Sequence, residues 1–193
     1  MKRAILLSSA LSFALMSSAL AHNPVTVSRL YTPQQHNFHK PFGKQKIQVA
    51  LLMDTSSSMD GLIEQAKSQL WKIVNELATA KYNGERPMIE IALYHYGNDN
   101  LKASDQYVQQ ILPFTTDLDK VSEELFNLST NGGEEYCGAV IKDATLNLNW
   151  STSNEDLKLV YIAGNEPFNQ GTVNYEKACR EAISKGIDRK SVV

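Results

Sequence analysis

The chain has 193 residues, of which 42% are hydrophobic and 21% charged, and a formal net charge of −2. The apolar content supports one domain with its own core. The near-neutral balance lacks the basic footprint of a nucleic-acid binder, and no nucleic acid is expected as a partner.

In chain order, the first element is an export signal. Lys2 and Arg3 form a basic n-region, residues 4–20 are apolar and serine-rich, and Ala19-Leu20-Ala21 is an A-x-A cleavage site. Residues 1–21 read as a secretory signal peptide, with the mature start near His22. A retained anchor is the alternative, but the apolar run is short for a bilayer span and ends in small residues. His22 and not a cysteine stands directly after the cleavage point, so no lipid anchor is expected, and no later segment is long and apolar enough to cross a membrane. The expected location is the periplasm or the exterior of a bacterial cell.

Residues 22–45 read as an extended leader, interrupted by Pro24, Pro33 and Pro41. His36 and His39 within it fit a solvated polar segment better than a metal site. At the other end, residues 188–193 read as a non-native tail of the kind a sequencing adapter encodes, with an authentic polar tail as the alternative. The expected domain therefore covers 46–187 and is truncated at its C-terminal side. Setting aside Lys2, Arg3, Arg189, Lys190 and Asp188 brings the formal charge to about −5. That mild acidity suits solubility and attraction of divalent cations.

Between these ends strands and helices alternate. Residues 47–53 (IQVALLM) are a nearly unbroken apolar run, as in a parallel strand buried on both faces. A helix is expected over 59–82, with Ile63, Ala66, Leu70, Ile73, Val74 and Leu77 on one stripe and a stop at Asn83-Gly84 before Pro87. Strands are expected over 88–96 and, more weakly, 107–114, where Pro113 suits a sheet edge and the short turn at 97–100 implies antiparallel pairing. A helix over 117–127, capped by Thr116 or Asp117, precedes the Asn131-Gly132-Gly133 loop and a helix over 136–148. A strand over 157–163, a loop over 164–171 and a helix over 175–185 follow. The expected fold is α/β, a Rossmann-like, doubly wound, mostly parallel sheet with one antiparallel edge strand and helices on both faces.

Asp54-Thr55-Ser56-Ser57-Ser58 follows the first strand directly. One carboxylate and alternating hydroxyls in a tight loop are hard oxygen donors of the kind Mg²⁺ takes at roughly 2.0–2.1 Å. The carboxyl ends of strands in an open α/β sheet are also where such folds bind ligands. A plain capped turn is the alternative. The D-x-S-x-S spacing resembles the first loop of the metal-ion-dependent adhesion site (MIDAS) of von Willebrand factor A (vWA) domains, and the resemblance extends over residues 46–187. In that family the second loop carries a glycine pair and then a threonine. Here Gly132-Gly133 match, and Glu134 stands at the threonine position, with Glu135 as the alternative ligand. Both glutamates also fit the first turn of a helix, where the dipole favours carboxylates. The third loop, usually T-D-G, reads Ala163-Gly164-Asn165-Glu166-Pro167, with Gly164 in the aspartate's place and Asn165 or Glu166 as compensating groups.

The resemblance implies a metal set of Asp54, Ser56, Ser58 and Glu134 holding Mg²⁺ or Mn²⁺. It implies a partner surface that takes in Glu135 and Asn165; Phe168, exposed in the loop beside Pro167, reads either as a further partner contact or as locally packed. It further implies a binding protein, as in cell adhesion, and not an enzyme: a carboxylate of a protein or other macromolecule completes the ion's coordination. A metal-free scaffold binding through its loop rim is the second reading. A metal-assisted hydrolase with His95 or Glu134 as base is the third, although there is no nucleophile elbow, P-loop or zinc-ligand spacing. His95, Trp71 and Tyr161 are expected as packed side chains. Cys137 and Cys179 either pair in the oxidising compartment or act as small buried hydrophobes.

Overall fold

The structure, a computed structural model, describes residues 45–81 and 84–192. The expected signal peptide, the expected leader up to residue 44, and Tyr82 and Asn83 of the expected helix stop lie outside the described residues.

The chain runs β1 (Lys46–Asp54), α1 (Ile63–Thr79), β2 (Met88–Tyr96), β3 (Val108–Thr115), α2 (Leu118–Asn127), α3 (Cys137–Asn147), β4 (Leu157–Ala163), α4 (Tyr175–Ser184) and β5 (Ile187–Val192). The five strands form one sheet in the order β3-β2-β1-β4-β5. All neighbours are parallel except β2 and β3, which are antiparallel. This is the expected doubly wound fold, with Pro113 on an edge strand. β1 is central because it is buried on both faces. Its alternating side chains feed two cores. Val49, Leu51 and Met53 pack with Leu70, Val74 and Leu125 on one side, and Ala50 and Leu52 pack with Val140, Ile141 and Ala178 on the other. The chain leaves β1 first toward β2 and later returns on its other side as β4. The crevice at the carboxyl ends of β1 and β4 is thus the topological switch point, the usual ligand position in open α/β sheets.

Two boundaries differ from the sequence reading. α1 is shorter than 59–82: Ser57–Met59 make a separate 3₁₀ turn, and Asp60 is extended (φ −53°, ψ 129°), which breaks the helix ahead of Ile63. At its other end Ala80 is extended and its N–H caps Leu77 O. The second difference is β5. Ile187–Val192 pair in parallel register with β4, from Lys158↔Ile187 to Ala163↔Val192. The strand that follows Gly186 is thus built from residues read above as a tail, and its pairing with β4 runs to Val192. A backbone ladder needs no apolar alternation, and Asp188-Arg189-Lys190 gave none.

Lys67 on α1 is 2% exposed. Its ammonium donates to Phe126 O (3.1 Å) and Leu128 O (2.6 Å) at the end of α2, and to Glu64 Oε1 (2.7 Å). The last carbonyls of a helix have no partners within it, so Lys67 serves as the cap of α2. Lys67→Met keeps the length and removes the donors. Unfolding in urea is expected to show a loss of about 2–3 kcal/mol from the stranded carbonyls. A loss below about 0.5 kcal/mol would mean that water satisfies them equally well.

Candidate metal site

Asp54 is the last residue of β1 and is fully buried. Its Oδ1 accepts the Ser56 N–H at 2.9 Å. Its Oδ2 has no hydrogen-bond partner and is the one buried side-chain oxygen or nitrogen in that condition among the described residues. Ser56, also buried, shares a 2.9 Å hydrogen bond between its hydroxyl and that of Ser58, which is exposed. Asn165 from the third loop holds Ser58 at two points: its Oδ1 accepts the Ser58 hydroxyl (3.0 Å) and its Nδ2 donates to Ser58 O (2.9 Å). Carboxylate, hydroxyl and hydroxyl thus rise from the sheet to the surface in sequence order.

The second loop lies against the first through backbone bonds. Ser57 N donates to Gly132 O at 2.5 Å and Asn131 N to Thr55 O at 3.0 Å. Thr130 Oγ1 adds a hydrogen bond to Asp60 Oδ1. A fourth segment, unforeseen in the sequence, joins them. Asn98, 3% exposed, donates to both Thr55 O (3.3 Å) and Ser129 O (3.1 Å), and Gly97 backs directly onto Asp54. A β-carbon at Gly97 would lie 3.0 Å from Asp54 Oδ1, 3.4 Å from Glu135 Cγ and 3.5 Å from Ser56 Cβ.

The electrostatics follow from this burial. The Asp54 carboxyl is pushed up to about 6 from an ordinary 3.8, chiefly by burial. The Ser56 N–H and hydroxyl offset part of that rise, and the charges of Glu135 and Glu166 add to it. Burial also raises the Cys137 thiol, to about 11, and raises Tyr96 well above its usual value. A carboxylate desolvated and repelled in this way is a site that a cation would relieve.

The structure brings together Asp54, Ser56 and Ser58 of the expected metal set and Asn165 of the expected partner surface. It separates the two glutamates. Glu134 is exposed, and its charge is felt by the Tyr136 phenol, whose pKa partial desolvation and then Glu134 raise. Glu135, 8% exposed, is the one that lies beside Gly97 and Asp54. Phe168 takes the packed position of its two readings and not the free rim position. It packs against the second core and lies edge-to-face on Tyr175, with ring centroids 5.9 Å apart. Gly164 stands where a third-loop aspartate would, and the group facing it is Tyr96, which the sequence reading missed. His95 is a hydrogen-bonded strand residue, between Thr55 Oγ1 (3.1 Å) and Gln109 Oε1 (3.1 Å). Both cysteines are free and buried, as the small-hydrophobe alternative has it.

Among the described residues no three His, Cys, Asp or Glu side chains converge as a metal cluster. An ion here would depend on the two serine hydroxyls as well as on carboxylate. The donor set still fits a hard divalent cation, because all of it is oxygen and the lone Asp54 Oδ2 needs an electropositive partner.

The family model for the von Willebrand factor type A domain matches residues 48–192. Among solved structures, proximal thread matrix protein 1 from the mussel byssus, in a form with a zinc-occupied MIDAS motif, aligns with a TM-score of 0.57 at 15% identity, over 77% of this chain and 38% of that one. The SpRpn10 VWA domain aligns at 0.56 and 13% identity, over 75% and 72% of the two chains. An aerotolerance-related membrane protein from Bacteroides fragilis NCTC 9343, solved with multiple mutations to serines, aligns at 0.50 and 17%, over 75% and 66%. The chain spans little more than a third of the mussel protein's length, and at these identities the likeness is one of fold. A search of curated protein sequences finds no significant match. With a family match over nearly the whole folded region, a sheet ordered β3-β2-β1-β4-β5 and a D-x-S-x-S loop at its switch point, this chain belongs to the von Willebrand factor type A domain family.

Proposed function

We propose that this is an exported vWA-domain binding protein that engages a protein or other macromolecular partner through a divalent ion, Mg²⁺ or Mn²⁺, held at Asp54. The observation that carries the reading is the lone Asp54 Oδ2, buried without a partner at the base of a column of hydroxyls that opens to the surface. Asp54, Ser56 and Ser58 would hold the ion, Asn165 keeps Ser58 turned to it, and Glu135 replaces Glu134 as the second-loop carboxylate. When bound, the ion supplies a positive centre that attracts a carboxylate of the partner. The segment over residues 1–21 carries the chain to the periplasm or beyond. A metal-free scaffold is the second reading, favoured by Gly164 in place of the third-loop aspartate.

Thermal unfolding of EDTA-treated protein decides between the two. At about 100 times Kd, Mg²⁺ or Mn²⁺ is expected to stabilise the fold by about 2.7 kcal/mol, a rise in midpoint of about 5–10 °C for a domain of this size. Ser58→Ala should shrink that rise, and Zn²⁺ run alongside shows whether a softer ion competes. A well-folded protein whose midpoint ignores all three ions would sink the metal reading and leave the scaffold.

A further inference from the structure

We propose that Tyr96 is a positioning residue of the Asp54 site, its buried hydroxyl standing in for the carboxylate that Gly164 lacks. The inference rests on the metal-binding reading above.

Tyr96 ends β2 in parallel register with Asp54, the last residue of β1. The two side chains therefore emerge on one face at neighbouring strand ends. Tyr96 is fully buried, and a tyrosine hydroxyl in a core needs a partner. It accepts a hydrogen bond from Cys137 Sγ at 3.4 Å, which occupies an oxygen lone pair and leaves its own hydrogen free to donate. Among the described residues Cys137 is the one hydrogen-bond partner recorded for that hydroxyl, and no donor meets Asp54 Oδ2.

Both atoms face one point. A β-carbon built on Gly164 would lie 2.7 Å from the Tyr96 hydroxyl, 2.9 Å from Asp54 Oδ2 and 3.1 Å from Asp54 Cβ. Real β-carbons do not approach that closely, so Tyr96 and a side chain at 164 exclude each other. One arrangement places a carboxylate on the third loop. The other, found here, places a neutral hydroxyl on β2 and leaves the third loop bare. With no hydrogen bond to Asp54 itself, the Tyr96 hydroxyl would act as an outer donor to the other ligands of an ion held there, without adding negative charge. Removing such outer-shell partners typically weakens metal affinity about 10–100-fold.

The test is a four-protein cycle: wild type, Tyr96→Phe, Gly164→Asp and the double variant. Each is titrated calorimetrically with Mg²⁺ and melted in EDTA. Tyr96→Phe is expected to weaken Mg²⁺ about tenfold. Gly164→Asp alone should bind no more tightly than wild type and melt lower in EDTA, because Tyr96 fills its space. The double variant should recover affinity through the restored carboxylate, and in EDTA should melt above Gly164→Asp but below wild type, because the Tyr96 clash is gone while the contacts with Asp54 (2.9 and 3.1 Å) and the added charge remain. The EDTA melts keep the steric half measurable even where a variant binds no ion. Wild-type affinity in Tyr96→Phe, or a gain from Gly164→Asp with Tyr96 intact, would overturn this inference alone. A wild type that binds no ion would overturn it together with the metal reading.

Discussion

In chelator at pH 7, Asp54→Asn is expected to melt above wild type, by about 3–8 °C, and to show no response to Mg²⁺. Asp54 is fully buried and its carboxyl is pushed up to about 6 by that burial, from 3.8. Holding it ionised at neutral pH without a cation therefore works against the fold, by about 3 kcal/mol at most. Asparagine keeps the oxygen that accepts the Ser56 N–H at 2.9 Å and carries no charge. It also puts an amide N–H where Oδ2 stood, a second buried group in need of a partner, which lowers the expected gain to about 1–3 kcal/mol. If Asp54 were only the cap of a turn, asparagine would be near-neutral or worse. A variant that melts below wild type in chelator would refute the idea that this residue is strained for binding.

The same shift fixes a pH dependence. A carboxyl whose folded pKa lies above its unfolded one binds its proton more tightly in the native state. Stability from this group is thus greatest on the acid side, falls as pH rises from about 4 to about 6, and is flat above. The advantage of Asp54→Asn should follow the mirror image, absent near pH 4 and full by pH 7. Urea unfolding of both proteins at four pH values across that window measures it. Saturating Mg²⁺ should flatten the wild-type fall between about pH 4 and about pH 6, since the ion takes over the charge.

What could be read in the sequence, and what could not, divides by how far apart the interacting residues lie along the chain. β2 and β4 have the bounds expected, and β1 differs by one residue at each end, because strands covered on both faces are apolar throughout. Asp54, Ser56 and Ser58 were legible because they act within five residues. The choice between Glu134 and Glu135 was not. They are adjacent in the irregular loop ahead of α3, where no helical or strand period fixes which way each side chain turns, and only the approach of Gly97 decides which one faces Asp54. Tyr96 was missed because its contact runs across the sheet. Counting back from two strand ends in parallel register would have found it. Phe168 reads as exposed in any local view, and its partner Tyr175 comes from the next helix. The run of β5 through residues 188–192 was not legible because edge pairing leaves little pattern in its side chains.

Gly133→Ala is expected to lose about 3–4 kcal/mol and the metal response with it. Gly133 has φ +139°, a region that residues with a β-carbon avoid, and an added methyl would lie 1.9 Å from Gly97 O and 2.7 Å from Ser56 Cβ. Neither neighbour can yield. Gly97 is pinned between the end of β2 and Asp54, and Ser56 is held by its N–H on Asp54 Oδ1. The second loop must then lift, which strains the bonds from Ser57 N to Gly132 O and from Asn131 N to Thr55 O, and carries Glu135 away from Asp54. Gly84→Ala is the matched control, with φ +85° and nothing within 4 Å of its built β-carbon. It should lose only the backbone term, about 1–2 kcal/mol, and keep its full shift with Mg²⁺. Equal losses at the two positions, or a Gly133→Ala protein that still responds to Mg²⁺, would show that the ion is held by the first loop alone and that Glu135 takes no part.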